Sequence, residues 1–376
     1  MVIGGGLLGC ATAYYLARDG MDVLLLERRE LNREASGTNA GSLHFQILRQ
    51  DDYSAARFAQ LRPTVELHEC ASALWKGLEE DLQADLGIRR LGGLLVAENR
   101  EQLDTLRRKV ELENSMGVKT ELVGPADIRE ICPGLSEHLA GADYHSEEGF
   151  ANPLVTVPAF ARAALKSGAR IRLHCPVNAI DPRPGGRFRL HTGTGTVDAG
   201  RVVDAAGAWS GEVAEMVGLR LPLTARVLHV NVTEPRPPLL RLLIQHAGRR
   251  LTLKQKEQGN FLIGGGWPGR ADPETEEKTT THGSLAGNTW VAAATFPPLR
   301  NVRVIRTWAG QTASSPDLMP TLGESRTVRG FFAMQGGAGF TLGPVYGRLM
   351  AELVRTGRTS IPIAPYDPER FMATAV

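Results

Sequence analysis

The chain has 376 residues, 42% hydrophobic and 22% charged, the balance of an ordinary globular protein long enough for two domains with separate cores. A formal net charge of +2, with no basic tract and no aromatics interleaved along a lysine and arginine stripe, argues against a nucleic-acid partner. No run reaches the ~18 apolar residues of a membrane span, which predicts a cytoplasmic protein without a transmembrane segment. The four cysteines, Cys10, Cys70, Cys132 and Cys175, lack metal-ligand spacing and predict buried free thiols with no metal site.

The first element is a glycine turn. Met1, Val2 and Ile3 form a short apolar run, Gly4, Gly6 and Gly9 make GxGxxG, and an alanine-rich helix follows over 11–18. The first glycine permits the tight turn, the second lets backbone approach a pyrophosphate, and the third lets helix and strand pack closely. The next apolar run, VLLLE, ends on Glu27, about 20 residues on, where a carboxylate meets an adenosine ribose. Strand, turn, helix, strand and acid in this order predict a dinucleotide site, and the acid disfavours a 2′-phosphate. The opening strand is shorter than the usual five or six residues, roughly.

Small residues then crowd the loop from Ala35 to Ser42, letting backbone lie close to a flat ligand. Residues 54–86 read as helix despite Pro63, with Phe58, Leu61, Leu67, Leu74, Leu78 and Leu82 at helical spacings. A new unit starts near Ile88 with the apolar segment GGLLVAE, a charged helix over 100–116 and another from Ala126. Residues 153–167 are helical, and short strands follow at 169–173, 177–181 and 187–191. RVVDAAG, residues 201–207, reads as a buried strand before a helix over 209–217, and 224–266 as an antiparallel set. The chain closes with a strand in VRGFFAMQ and a helix opened by GGAGFTLGP and ending near Arg355. The fold class expected is α/β: a Rossmann-like nucleotide-binding domain, residues 1–86, 146–216 and 305–376, interleaved with an α+β domain on a mainly antiparallel sheet, residues 87–145 and 217–304. The reaction pocket is expected at their junction.

Taken together, GGGLLG with Glu27, ASGTNAG, EEGFANP, VVDAAGAWS, RTWAGQTASSPDLMPTLG and GGAGFTLGPVYG resemble the D-amino-acid oxidase superfamily of FAD enzymes, in family order over nearly the whole chain. The look is nearest to glycine and sarcosine oxidases and to the flavin-bearing beta subunits of opine, proline and hydroxyproline dehydrogenases. The resemblance implies FAD, with its ADP half along Gly4, Gly6, Gly9, Glu27 and Arg28 and with backbone at Val177 on the adenine edge. Ser36, Asn39, Ala40, Gly41 and Ser42 would follow the pyrophosphate and ring, with Gly207 and Gly310 nearby. Gly336, Gly337, Gly339, Phe340 and Thr341 would face the flavin pyrimidine, where a helix N-terminus favours negative charge. The implied chemistry is oxidation of a carbon–nitrogen bond by hydride transfer to flavin N5, giving an imine that hydrolyses.

Departures from the family narrow the site. D-amino-acid and glycine oxidases hold the substrate carboxylate with an arginine after a WAGL-type turn, where this chain has Gly310, Gln311 and Thr312. Monomeric sarcosine oxidases have a lysine where Thr341 follows Phe340, and no cysteine after Cys175 offers their covalent link, so non-covalent FAD is expected. Lys254 and His44 are the catalytic candidates; the other readings are a solvated strand lysine and a half-buried, paired histidine. Arg49 is a weaker candidate, and Trp209 and Trp308 read as core aromatics. The expected activity is that of a dehydrogenase subunit acting on an amino acid or secondary amine and passing electrons to partner subunits. An oxygen-using oxidase and a flavin-binding scaffold without turnover are the alternatives.

Overall fold

A computed structural model describes residues 1–47 and 55–372; Arg49 lies outside these. Six strands form one sheet in the order Thr321–Glu324, Phe331–Gln335, Val202–Asp204, Val2–Ile3, Leu24–Leu26 and Arg170–Arg172. All neighbours are parallel except the first pair. Strands covered on both faces carry unbroken apolar runs, which is why VVD, LLL and FFAMQ show no alternation. The short strand Val2–Ile3 sits centrally, hydrogen-bonded on both sides, so its neighbours hold it where its own length would not.

The helix Leu7–Arg18 packs against Gly343–Thr356 and Pro153–Lys166. A Cβ on Gly347 would lie 2.5 Å from that of Ala11, so this crossing needs glycine. Arg18 occupies the last turn, and Gly20 at φ +82° takes the left-handed position that follows. Asn152 caps Pro153–Lys166, its Oδ1 accepting from Leu154 N at 3.0 Å.

Eight further strands form the second sheet: Val304–Ser314, Thr224–Pro235, Asn260–Gly264, Thr252–Gln255, Leu243–His246, Gly93–Ala97, Gly141–His145 and Glu121–Val123. Only Leu243–His246 with Gly93–Ala97 is parallel. Because side chains alternate along a strand, one face collects Leu94, Val96, Ile244, Leu253 and Ile263 beneath the helix His282–Thr295. The pairs Gln245 with Thr252, Gln245 with Leu95 and Leu95 with Asp143 put Asp143, Gln245, Thr252 and Lys254 on the opposite face. On that face Lys254 reaches Ser42, Asp143 meets Lys109 of the helix Arg100–Ser115, and Thr252 lines the cleft.

The helix His282–Thr295 was not expected, since Gly283 and Gly287 weaken a helical pattern. Tertiary packing overrides propensity here: the Trp267 ring occupies the space a Gly287 side chain would need, and Thr281 Oγ1 accepts from Ser284 N at 3.2 Å. The strand Val304–Ser314 falls within the stretch assigned by sequence to the nucleotide-binding segments, yet it pairs with Thr224–Pro235 in the eight-stranded sheet. Its partner lies too far back in the chain for a local pattern to reveal. The last helix begins at Gly343, after a turn in which Ala338 takes φ +52°.

Candidate functional site

Between the sheets runs a cleft of about 570 Å³, within the range of small-molecule sites. Its outer end is the glycine turn. Gly4, at φ +110°, has the Ala205 carbonyl 2.5 Å from where a Cβ would stand, and a Cβ on Gly9 would collide with the Gly4 carbonyl. Gly9 thus lies beneath the cleft rather than in its lining, packing helix on strand. Gly6 has no side chain to cap Leu7–Arg18 and no acid occupies the helix's own first turn, so the helix start faces the cleft. Ser36 Oγ accepts from Leu7 N at 2.9 Å. Glu27 closes the turn, with Oε2 accepting from Gly5 N at 2.6 Å and Oε1 from Arg29 N at 2.8 Å.

Arg28 stacks over Trp209 at 4.0 Å and faces Glu276 at 3.5 Å, so the hairpin between Arg270–Ala271 and Lys278–Thr279 reaches the outer end. Both tryptophans are only partly buried, and Trp209 lines the cleft, which corrects the reading of the pair as core aromatics. Trp308 Nε1 donates to Thr38 O at 2.7 Å, and Thr38 fills the space beside Gly310. Val177, Gly207, Gly310, Gly336, Gly339 and Phe340 also line the cleft, as do Asn39 and Ala40, whereas Gly337 and Gly41 stand behind the lining. Asn39 folds the small-residue loop on itself, donating to Ser36 O at 2.7 Å and accepting from Gly41 N at 2.8 Å.

Next to Phe340 of the cleft, a buried polar chamber gathers the segment from Ser42 to His44, the turn at Thr341, the helix residues His68 and Trp75, and Lys254 and Gln245 of the eight-stranded sheet. His44 N donates to Thr341 Oγ1 at 3.1 Å, Thr341 Oγ1 donates to Ser42 O at 3.2 Å, and Trp75 Nε1 donates to Thr341 O at 2.7 Å. Lys254 is fully buried and donates to Ser42 Oγ at 2.5 Å, so it is not a solvated strand lysine. Burial, aided by nearby Lys256, holds its amine well below the usual lysine range. Glu148, fully buried, places Oε1 3.7 Å from His44 Nδ1 and accepts from Gln245 Nε2 at 3.2 Å. His68 Nδ1 donates to His44 O at 2.9 Å, and burial lowers the His68 ring to about 4.

Behind these groups Lys109 Nζ meets Gln46 Oε1 at 2.6 Å, Glu113 Oε2 at 2.7 Å and Asp143 Oδ2 at 2.6 Å, all buried. Burial raises both carboxyls against the pull of Lys109, Glu113 to about 7. Asp204, also missed by sequence reading, ends a central strand and accepts from Ala206 N at 3.0 Å and Ser210 Oγ at 2.9 Å. Burial pushes it up to about 7 despite those bonds. Its signal was an acid inside the apolar run VVDAAG; the only sign of Glu148 was its place in EEGFANP, as one of two adjacent glutamates. Cys10, Cys132 and Cys175 are buried free thiols, while Cys70 is half-buried and accepts from Arg348 Nη2 at 2.8 Å. Among the described residues no group of three metal-ligating side chains occurs, and no helix is long and apolar enough to cross a membrane.

Comparison with known proteins places this geometry. The FAD dependent oxidoreductase family, DAO, matches residues 1–353. Human mitochondrial sarcosine dehydrogenase is 30% identical over 99% of this chain, which spans 41% of that protein's length. One subunit of the opine oxidase of Rhizobium meliloti is 29% identical over 99% of this chain and 97% of its own. The crystal structure of L-proline dehydrogenase from P. horikoshii superposes with a TM-score of 0.89 at 26% identity, covering 99% of this chain and 97% of that one.

Proposed function

Since this chain belongs to the DAO family of FAD-dependent oxidoreductases, we propose that it oxidises the carbon–nitrogen bond of an amino acid or secondary amine of the glycine, sarcosine, proline, hydroxyproline or opine type. It does so as the catalytic beta-type subunit of a dehydrogenase complex, in keeping with the opine oxidase relative, itself one subunit of its enzyme. The observation that carries the reading is the inner chamber, where a buried lysine amine and a histidine–glutamate pair meet the loop from Ser42 to His44 beside Thr341.

The cleft fits FAD: a helix start with no acid in its first turn, a turn crowded enough to need glycine at Gly4 and Gly9, and a carboxylate at the turn's edge suit a pyrophosphate and an adenosine ribose. When bound, FAD supplies the two-electron acceptor. Gly4, Gly6, Glu27, Arg28 and Val177 hold the adenosine half, with Gly9 supporting the turn. Ser36, Asn39, Ala40, Gly207 and Gly310 line the middle, backed by Gly41 and Ser42, and Gly336, Gly339 and Phe340 the flavin end, backed by Gly337 and Thr341, without a covalent link. A substrate carboxylate arriving near Lys254 favours the lysine's charged form, so binding itself pairs the two charges.

The test is anaerobic bleaching of the purified yellow protein by sarcosine, glycine, proline, hydroxyproline and an opine. Bleaching by one or more is expected, and bleaching by none would leave a flavin-binding scaffold. Dye reduction without peroxide in air is expected; peroxide release would make it an oxidase.

A further inference from the structure

We propose that Glu148 is a positioning residue that sets the His44 ring to take the proton of a substrate ammonium. The inference rests on the amine-oxidising reading and adds the group that prepares the amine.

His44 Nδ1 and Glu148 Oε1 are both buried, neither has a hydrogen-bond partner within 3.5 Å, and they face each other at 3.7 Å. Two unpaired buried polar atoms at that separation close into one hydrogen bond by a small ring movement, and leaving them apart is costly. With Nδ1 committed to the carboxylate, Nε2 is the ring nitrogen left for a ligand, and the ring is 12% exposed.

Everything around the pair fixes it. The His44 backbone is tied at both ends, N to Thr341 Oγ1 and O to His68 Nδ1. Glu148 is held from the other side by Gln245 and lies where Gly93 has no side chain; a Cβ there would collide with its carboxylate. Burial alone would raise the Glu148 carboxyl, but the His44 ring facing it, with lesser help from His145 and the nearby Gln46 amide, holds it below the usual range. The carboxylate is therefore ionised, as an acceptor for Nδ1–H must be.

The step balances within itself. The N–H bond of the substrate ammonium breaks with its electron pair left on nitrogen, and an N–H bond forms at His44 Nε2. The amine becomes the neutral donor that carbon–nitrogen oxidation requires. The new imidazolium presents Nδ1–H to the Glu148 carboxylate, which compensates its charge.

The experiment uses Glu148→Gln, Glu148→Asp, His44→Gln and the double variant Glu148→Gln/His44→Gln, each loaded with FAD. The probe is whichever of sarcosine, glycine, proline, hydroxyproline or the opine bleaches the wild type fastest. The limiting anaerobic bleaching rate should fall about 10- to 100-fold in Glu148→Gln, the cost of losing a carboxylate that orients a histidine. Half-saturation should change far less, Glu148→Asp should recover part of the rate, and Glu148→Gln should cost little more once His44 is gone. Independently of turnover, nitrogen NMR of 15N-histidine-labelled protein should show the His44 Nδ1–H form, identified by its loss in His44→Gln and altered in Glu148→Gln. An unchanged limiting rate, additive losses in the double variant, or a His44 signal indifferent to Glu148 would overturn the inference while leaving amine oxidation intact. If no probe bleaches even the wild type, the functional reading falls first, and the NMR signal alone then decides whether Glu148 sets the ring.

Discussion

The outer cleft and the inner chamber are built on opposite physical plans. The cleft is made largely of backbone: glycines that leave room, a helix start with no acid in its first turn, and Glu27 bonded to two main-chain N–H groups. The chamber is made of side chains, with Lys254, Glu148, His68, Lys109, Glu113 and Asp143 all buried and Lys109 bonded to both Glu113 and Asp143. The cleft should therefore respond to substitution locally, whereas the chamber should respond as a unit.

The sharpest way to break that contrast is Lys109→Met. It leaves the Glu113 and Asp143 carboxylates buried without their shared cation and should cost about 3–5 kcal/mol in urea unfolding at pH 7. Adding Glu113→Gln and Asp143→Asn should restore most of that loss. If Lys109→Met unfolds with the wild type, the chamber is not a coupled unit.

Acid offers a second, somewhat smaller lever through His68. Burial lowers its ring to about 4, so the unfolded chain takes up a proton below about 6.5 while the folded chain stays neutral. The stability present above pH 6.5 is lost as the pH falls toward 4, by at most about 3 kcal/mol from this group. Denaturant midpoints at pH 7, 5 and 4 should show a shallower decline in His68→Gln than in wild type, and parallel declines would remove His68 from the account.

The smallest effect belongs to the cleft. Glu27→Ala removes the proposed ribose acceptor and a partner for Gly5 N, and should raise the FAD dissociation constant about tenfold, roughly 1.4 kcal/mol, with little change in unfolding. Flavin occupancy after dialysis reads this directly, and unchanged occupancy would deny Glu27 its part.

Legibility in the sequence follows the same division. Gly4, Gly6, Gly9 and Glu27 were readable because a turn, a helix start and an acid at fixed spacing are local facts. The helices Pro153–Lys166 and Arg100–Ser115 were expected from the sequence to within about one residue, and the structure adds their caps at Asn152 and Asn99. Glu148 was not readable, since its meaning comes from His44 and Gln245 far away in the chain. Lys254 was half readable: its strand was evident, but whether it faced solvent or the chamber depended on the partner strands and on what covered that face.

By itself the sequence determined the glycine turn, many of the helices and strands along the chain and, through motifs in family order, the FAD oxidoreductase resemblance, because each depends on spacing or composition. Only the tertiary structure decided that Val304–Ser314 joins the eight-stranded sheet, that His282–Thr295 is helical despite two glycines, and that Lys254 is buried. It alone brought His44 to Glu148. Burial and pairing between distant segments set those outcomes, and they come into being only when the two sheets close on each other.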